Sequence, residues 1–211
     1  MSPLKSSSMP TMAPVGSSSS DYGYGGGSGG SSCFAGSEAV TLESGESKPI
    51  SEVRVGDRVL AADSFGKTHF SEVIFVPHGA NAHTAVFTHI TTAEGRDIKM
   101  TQNHILPAGV CGSSAPMPLV YASTVQVDNC ITTLSGEEKV VMTENIKGRG
   151  VYTIVTNEEY IVVNGIIASS FGINHMMANL YYNIHRAAYS FAPALMHSTL
   201  LQNANEVRKT Q

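Results

Sequence analysis

From Ala39 to Ser169 the apolar residues come in runs of strand length, broken by turn residues, and nowhere form a long stripe. AVTL, SEVRVGDRVLAAD, HFSEVIFV, TAVFTHITT and RDIKMT each alternate or run apolar, and GVYTIVTN and EYIVVNGIIAS do so further on. Gly45, Gly56, Gly66, Gly95, Gly136, Gly150 and Gly165 punctuate them. Successive side chains of a strand face opposite ways, so alternation buries one face and leaves the other wet. Many short segments of this kind, rich in Val, Ile and Thr, predict an all-β domain of short antiparallel strands. In VGDRVLAAD a Gly-Asp turn feeds a buried strand.

Both ends of the chain depart from this pattern. Residues Gly16 to Ser32 are only Gly, Ser, Tyr and Asp, a composition with flexibility and little apolar surface, so 1–32 is expected to be a disordered leader. At the other end Ile173, Met176, Met177, Leu180, Tyr181, Ile184, Ala187, Ala188 and Phe191 fall at helical spacing, and Pro193 breaks it. An amphipathic helix is expected in a 172–211 extension. A packing helix over a sheet face, a lipid- or sterol-facing element and a partner-binding helix all fit that stripe.

A hydrophobic share of 42%, a charged share of 14% and a net charge of −4 describe an ordinary globular balance. No Lys/Arg cluster supplies a phosphate footprint, which argues against nucleic acid. No apolar run is long enough to span a bilayer. Met1 to Val15 lacks the apolar core of a signal peptide, leaving cytosolic synthesis and an upstream secretory segment both open. Three cysteines, Cys33, Cys111 and Cys130, are too few for a disulfide framework. Cys111 and Cys130 are expected to be buried or half-buried thiols, a bridge between them requiring an oxidising compartment.

The composition changes at one residue, Cys33. A thiol at the first position of a folded domain can attack the carbonyl of its own preceding residue, turning the Ser32–Cys33 amide into a thioester. Nitrogen is a poor leaving group, so this N-to-S shift needs a proton donor and dipoles that stabilise the oxyanion. Free cysteine is only a few per cent thiolate at neutral pH, so activation is needed too. Proximity comes without a binding step, because both reactants belong to one chain. In DIKMTQNHILPAG, Thr101 and His104 are spaced for a tight turn that aims both at one atom. His104 would protonate the leaving nitrogen and the Thr101 hydroxyl would hold the peptide. His69, His83, His89, His175, His185 and His197 show no metal-ligand spacing, so no metal or cofactor is expected.

CFAGSEAVTLESGESKPISEVRVGDRVLAAD resembles the opening of Hint domains, and most of all that of the hedgehog-type autoprocessing (Hog) branch. HFSEVIFV, TQNHIL and VNGIIASSF resemble later segments of the same branch, in the same order, from Cys33 to about Phe171. The resemblance implies a horseshoe-like all-β disk with pseudo-twofold symmetry over 33–171. It implies Cys33 as nucleophile, with Thr101 and His104 assisting. The thioester would then pass to water or to an outside nucleophile, in the animal branch a sterol hydroxyl. The expected partners are the chain's own amino-terminal flank and such a lipid alcohol, on a monomer, with a secreted or extracellular place suggested by the family. Three positions depart from the branch: Ser32 stands where it has Gly, His78 where an Asp assists the sterol step, and Ser170 where a late cysteine lies. His78 is thereby a candidate second-step base. Splicing requires a terminal His-Asn pair, whereas Asn174-His175 runs in the reverse order, so cleavage without ligation is expected. The alternative is a Hint-like fold kept as a non-catalytic binding or structural module.

Overall fold

The computed structural model describes residues 33–63, 65–77 and 84–170. The chain forms β1 (Phe34–Ala35), β2 (Ala39–Thr41), β3 (Ser47–Pro49), β4 (Arg58–Ala62), β5 (Thr68–Phe75), β6 (Thr84–Thr92) and β7 (Asp97–Thr101). It continues through β8 (Ile105–Val110), β9 (Leu119–Tyr121), β10 (Asn129–Thr133), β11 (Gly136–Arg149), β12 (Val151–Tyr152), β13 (Val155–Thr156), β14 (Tyr160–Val163) and β15 (Ile166–Ser169). Every pairing is antiparallel. Helical structure among the described residues is limited to two 3-10 turns, Ile50–Glu52 and Ala122–Thr124. The all-β expectation therefore holds. The expected helix of 172–211 lies outside the described residues.

Hydrogen bonding links the strands in the order β12-β1-β7-β6-β11-β10-β15-β14-β4-β5-β13, with β2 and β3 beside β14 and β8 and β9 beside β10. The order is far from sequential, so the core is built from distant parts of the chain. Phe34, Val59, Ile90, Met100, Leu106, Ile131, Ile154 and Ile161 are all fully buried in one cluster. In β7, Ile98 and Met100 point inward while Asp97, Lys99 and Thr101 stay half-buried, the period-two alternation of a strand. Burying each such aliphatic side chain contributes about 1.5–3 kcal/mol.

The run EYIVVNGIIAS is two strands rather than one. Val163 pairs with Ile166, so Asn164 and Gly165 form a two-residue turn between β14 and β15. Both have positive φ, 51° and 77°, the conformation this hairpin turn requires and that Asn-Gly accepts at least cost. GVYTIVTN divides as well. β12 pairs with β1 but β13 pairs with β5, so the chain changes partner at Thr153 and Ile154.

Cys111 and Cys130 form a disulfide, which corrects the expectation of thiols. The pairing of β8 with β10 sets Val110 against Asn129 and Gly109 against Cys130. That register brings the two cysteines to a Cα separation of 4.9 Å, inside the range a bridge spans. Cys33 takes no part in a disulfide.

Candidate active site

Cys33 is wholly buried immediately before β1. Phe34 pairs with Tyr152 on one side and Met100 on the other, so Cys33 comes between Thr153 and Thr101. Two hydrogen bonds fix it against Thr101. The Thr101 amide donates to the Cys33 carbonyl at 2.8 Å. The Cys33 amide, whose nitrogen belongs to the bond with Ser32, donates to Thr101 Oγ1 at 3.0 Å.

The Thr-x-x-His spacing is that of a tight turn at the end of β7: the His104 amide donates to the Thr101 carbonyl at 2.9 Å. His104 is fully buried, its carbonyl accepts the Ala122 amide at 2.7 Å, and its ring lies 4.1 Å from the Phe34 ring between centroids. Nε2 is 2.7 Å from the Ser169 carbonyl oxygen at the end of β15. A carbonyl only accepts, so Nε2 carries the proton and Nδ1 carries the lone pair. Burial disfavours the imidazolium and lowers the pKa from 6.5 to about 4, with the Ser169 carbonyl opposing part of that effect. At neutral pH the ring is thus a neutral base. Its Nδ1 is buried and has no hydrogen-bond partner among the described residues.

Two more groups belong to this site that reasoning from sequence missed. Ser169 acts through its backbone oxygen, a role that side-chain identity does not reveal. Thr153, also buried, lies across from Cys33 and donates from Oγ1 to the Ser170 carbonyl at 3.4 Å. The Ser170 hydroxyl is buried without a partner among the described residues. The signal for Thr153 was a polar residue within the apolar run GVYTIVTN, visible but uninterpretable without the register. Of the expected site residues, Cys33, Thr101 and His104 are brought together; Ser32 and His78 lie outside the described residues.

Among the described residues no group of three or more His, Cys, Asp or Glu is placed to hold a metal ion. His69 pairs with Glu158, and His89 lies between Asp97 and Glu144. No helix of the described residues is long and apolar enough to cross a membrane.

The family model of the Hint module matches residues 25–209. The chain belongs to the Hint family. Its hedgehog-type character is shown by its relatives. It is 35% identical over 145 residues to Warthog protein 6 of Caenorhabditis elegans, covering 66% of this chain and 24% of that protein. It is 34% identical over 171 residues to Sonic hedgehog protein of Danio rerio, covering 72% and 40%. This Hint chain therefore spans well under half the length of either relative. A DnaB intein from Synechocystis superposes with a TM-score of 0.55 at 18% identity, covering 68% of this chain and all of that one. A triply substituted gp41-1 intein superposes with a TM-score of 0.52 at 19% identity, covering 65% and 98%. These last two likenesses establish the Hint fold.

Proposed function

We propose that the domain cuts its own chain at the Ser32–Cys33 bond by an N-to-S acyl shift. One observation carries this reading: Thr101 holds the buried Cys33 amide through Oγ1 and opens the turn that carries His104, whose buried neutral ring has an Nδ1 without a partner among the described residues. The Cys33 thiol gives its proton to Nδ1, and the sulfur attacks the Ser32 carbonyl carbon. The tetrahedral oxyanion collapses, the C–N bond breaks, and the imidazolium returns the proton to the departing nitrogen. A thioester to Cys33 Sγ and a free Cys33 amine remain. A ring whose pKa is about 4 accepts the proton reluctantly and releases it readily, which suits the second transfer. The Thr101 hydroxyl keeps the nitrogen oriented through both transfers.

On this reading 1–32 is the cleaved flank, 33–171 the processing domain and 172–211 a helical extension. The thioester ends on water or on an outside nucleophile such as a lipid or sterol alcohol, with His78 as base for that second step. The test is to incubate the folded chain with hydroxylamine and weigh the products. Release of a fragment ending at Ser32, abolished by Cys33→Ala, is expected. An intact chain under those conditions would sink the proposal and leave a non-catalytic module. In an incubation without hydroxylamine, the mass of the released flank separates gain of water from gain of a lipid.

A further inference from the structure

The three strands that supply the site are tied together at a distance from the chemistry by one buried carboxylate and one amide. Glu38, in the turn after β1, is only 1% exposed. Its Oε2 accepts the Lys99 amide at 3.1 Å and Asn164 Nδ2 at 2.7 Å. Its Oε1 faces Lys99 Nζ at 3.5 Å and the Ser37 hydroxyl at 3.4 Å. Asn164 completes the bracket: Oδ1 accepts the Ala39 amide at 2.9 Å, and Nδ2 also donates to the Asp97 carbonyl at 2.9 Å. Its own amide donates to the Ala39 carbonyl at 2.9 Å.

Each tied segment leads to a reacting or supporting group. The turn carrying Glu38 is the continuation of β1, which follows directly on Cys33. Lys99 lies two residues before Thr101 on β7. Asn164 lies in the turn that leads into β15, which ends at Ser169, the residue whose carbonyl orients His104. Desolvation raises the pKa of Glu38, with the Lys99 amide and ammonium opposing it, so the carboxylate stands where ionisation is unfavourable. A buried charge is poor value as a source of stability, and its best-attested use is to set a register.

We propose that Glu38 and Asn164 are positioning residues for the acyl shift, fixing β1 against β7 and β15 and so the spacing of Cys33, Thr101 and His104. This rests on the self-cleavage reading above. The test is a double-mutant cycle on the pair. Glu38→Gln alone costs the bracket an acceptor, and Asn164→Asp alone sets two carboxyl groups face to face. Glu38 Oε2 serves both the Lys99 amide and Asn164 Nδ2, and Nδ2 serves the Asp97 carbonyl too, so either change breaks the same bracket and the second has little left to break.

Hydroxylamine-induced cleavage is expected to slow about ten- to a hundred-fold in each single variant, the order that a misplacement near 1 Å produces. Because both residues act through one bracket, the double variant should be scarcely slower than the slower single, far from the product of the two effects. In the Cys33→Ala background, the His104 ring 15N resonances should shift in the single variants and shift little further in the double. A change in stability alone would leave the resonances of the folded protein in place. If either single variant loses its melting transition, Asn164→Gly replaces it, because glycine accepts the positive φ at that position. Single variants that cleave at the wild-type rate, or a double slowed by the full product of the two single effects, would overturn the proposal. If the unmutated chain does not cleave, the self-cleavage reading falls by itself. The His104 resonances then decide the register claim, unchanged positions in the single variants overturning it.

Discussion

The buried neutral His104 makes a prediction about stability that does not depend on catalysis. In the unfolded chain a histidine titrates near 6.5, and in the folded domain His104 titrates at about 4. Between these values the unfolded state binds the extra proton, so acid favours unfolding. The contribution is fully present above pH 6.5 and is lost as pH falls toward 4. Each pKa unit is worth 1.36 kcal/mol, and integrating over this window gives a loss of about 3 kcal/mol between pH 7 and pH 4. Other groups titrate in the same range, including Glu38, whose raised pKa acts in the opposite direction. The measurement is therefore a difference. Urea unfolding of the Cys33→Ala protein at pH 7 and pH 4 is compared with the same experiment carrying His104→Gln in addition. The first protein should lose about 3 kcal/mol more than the second over that interval. Equal losses would mean that the imidazole is charged or hydrated in the folded state, and the base assigned to Nδ1 would go with it.

Thr101→Val keeps the shape of the side chain and removes the acceptor of the Cys33 amide; cleavage in hydroxylamine should slow by about ten-fold or more, as expected for a lost hydrogen bond to a buried group. Mutating both Cys111 and Cys130 to Ser opens a bridge over a sequence separation of 19 and should lower urea stability by about 3 kcal/mol, with m rising as the unfolded chain expands. Gly36→Ala would place a Cβ 2.7 Å from the Tyr152 ring, which faces β1; a melting-temperature drop matching about 1–3 kcal/mol is expected, and an unchanged melt would refute the close approach.

The strands most legible in the sequence were those with one wet face and one dry one. TAVFTHITT became β6 and RDIKMT became β7 almost residue for residue, because alternation is written into the side chains. β11 was not legible. Its 14 residues include charged groups along most of its length, and it pairs with β6 as a largely exposed ribbon, so little apolar periodicity marks it. The Asn-Gly turn was present as a dipeptide but hidden inside a continuous apolar run. The Cys111–Cys130 bridge depended on the register of two strands that are not sequence neighbours.

By itself the sequence determined the all-β class, the change of composition at Cys33 and the Thr101–His104 turn, since each is encoded in local composition, periodicity or spacing. Only the tertiary structure decided what surrounds them. Thr153 comes across from Cys33, the Ser169 carbonyl selects the tautomer of His104, and Glu38 and Asn164 join the strands behind the site. These arrangements come from pairings between residues far apart in the chain, and in the case of Ser169 from a backbone atom that every residue type possesses. Burial then converts an ordinary imidazole into a neutral base, a property of the surrounding dielectric that no side chain carries alone.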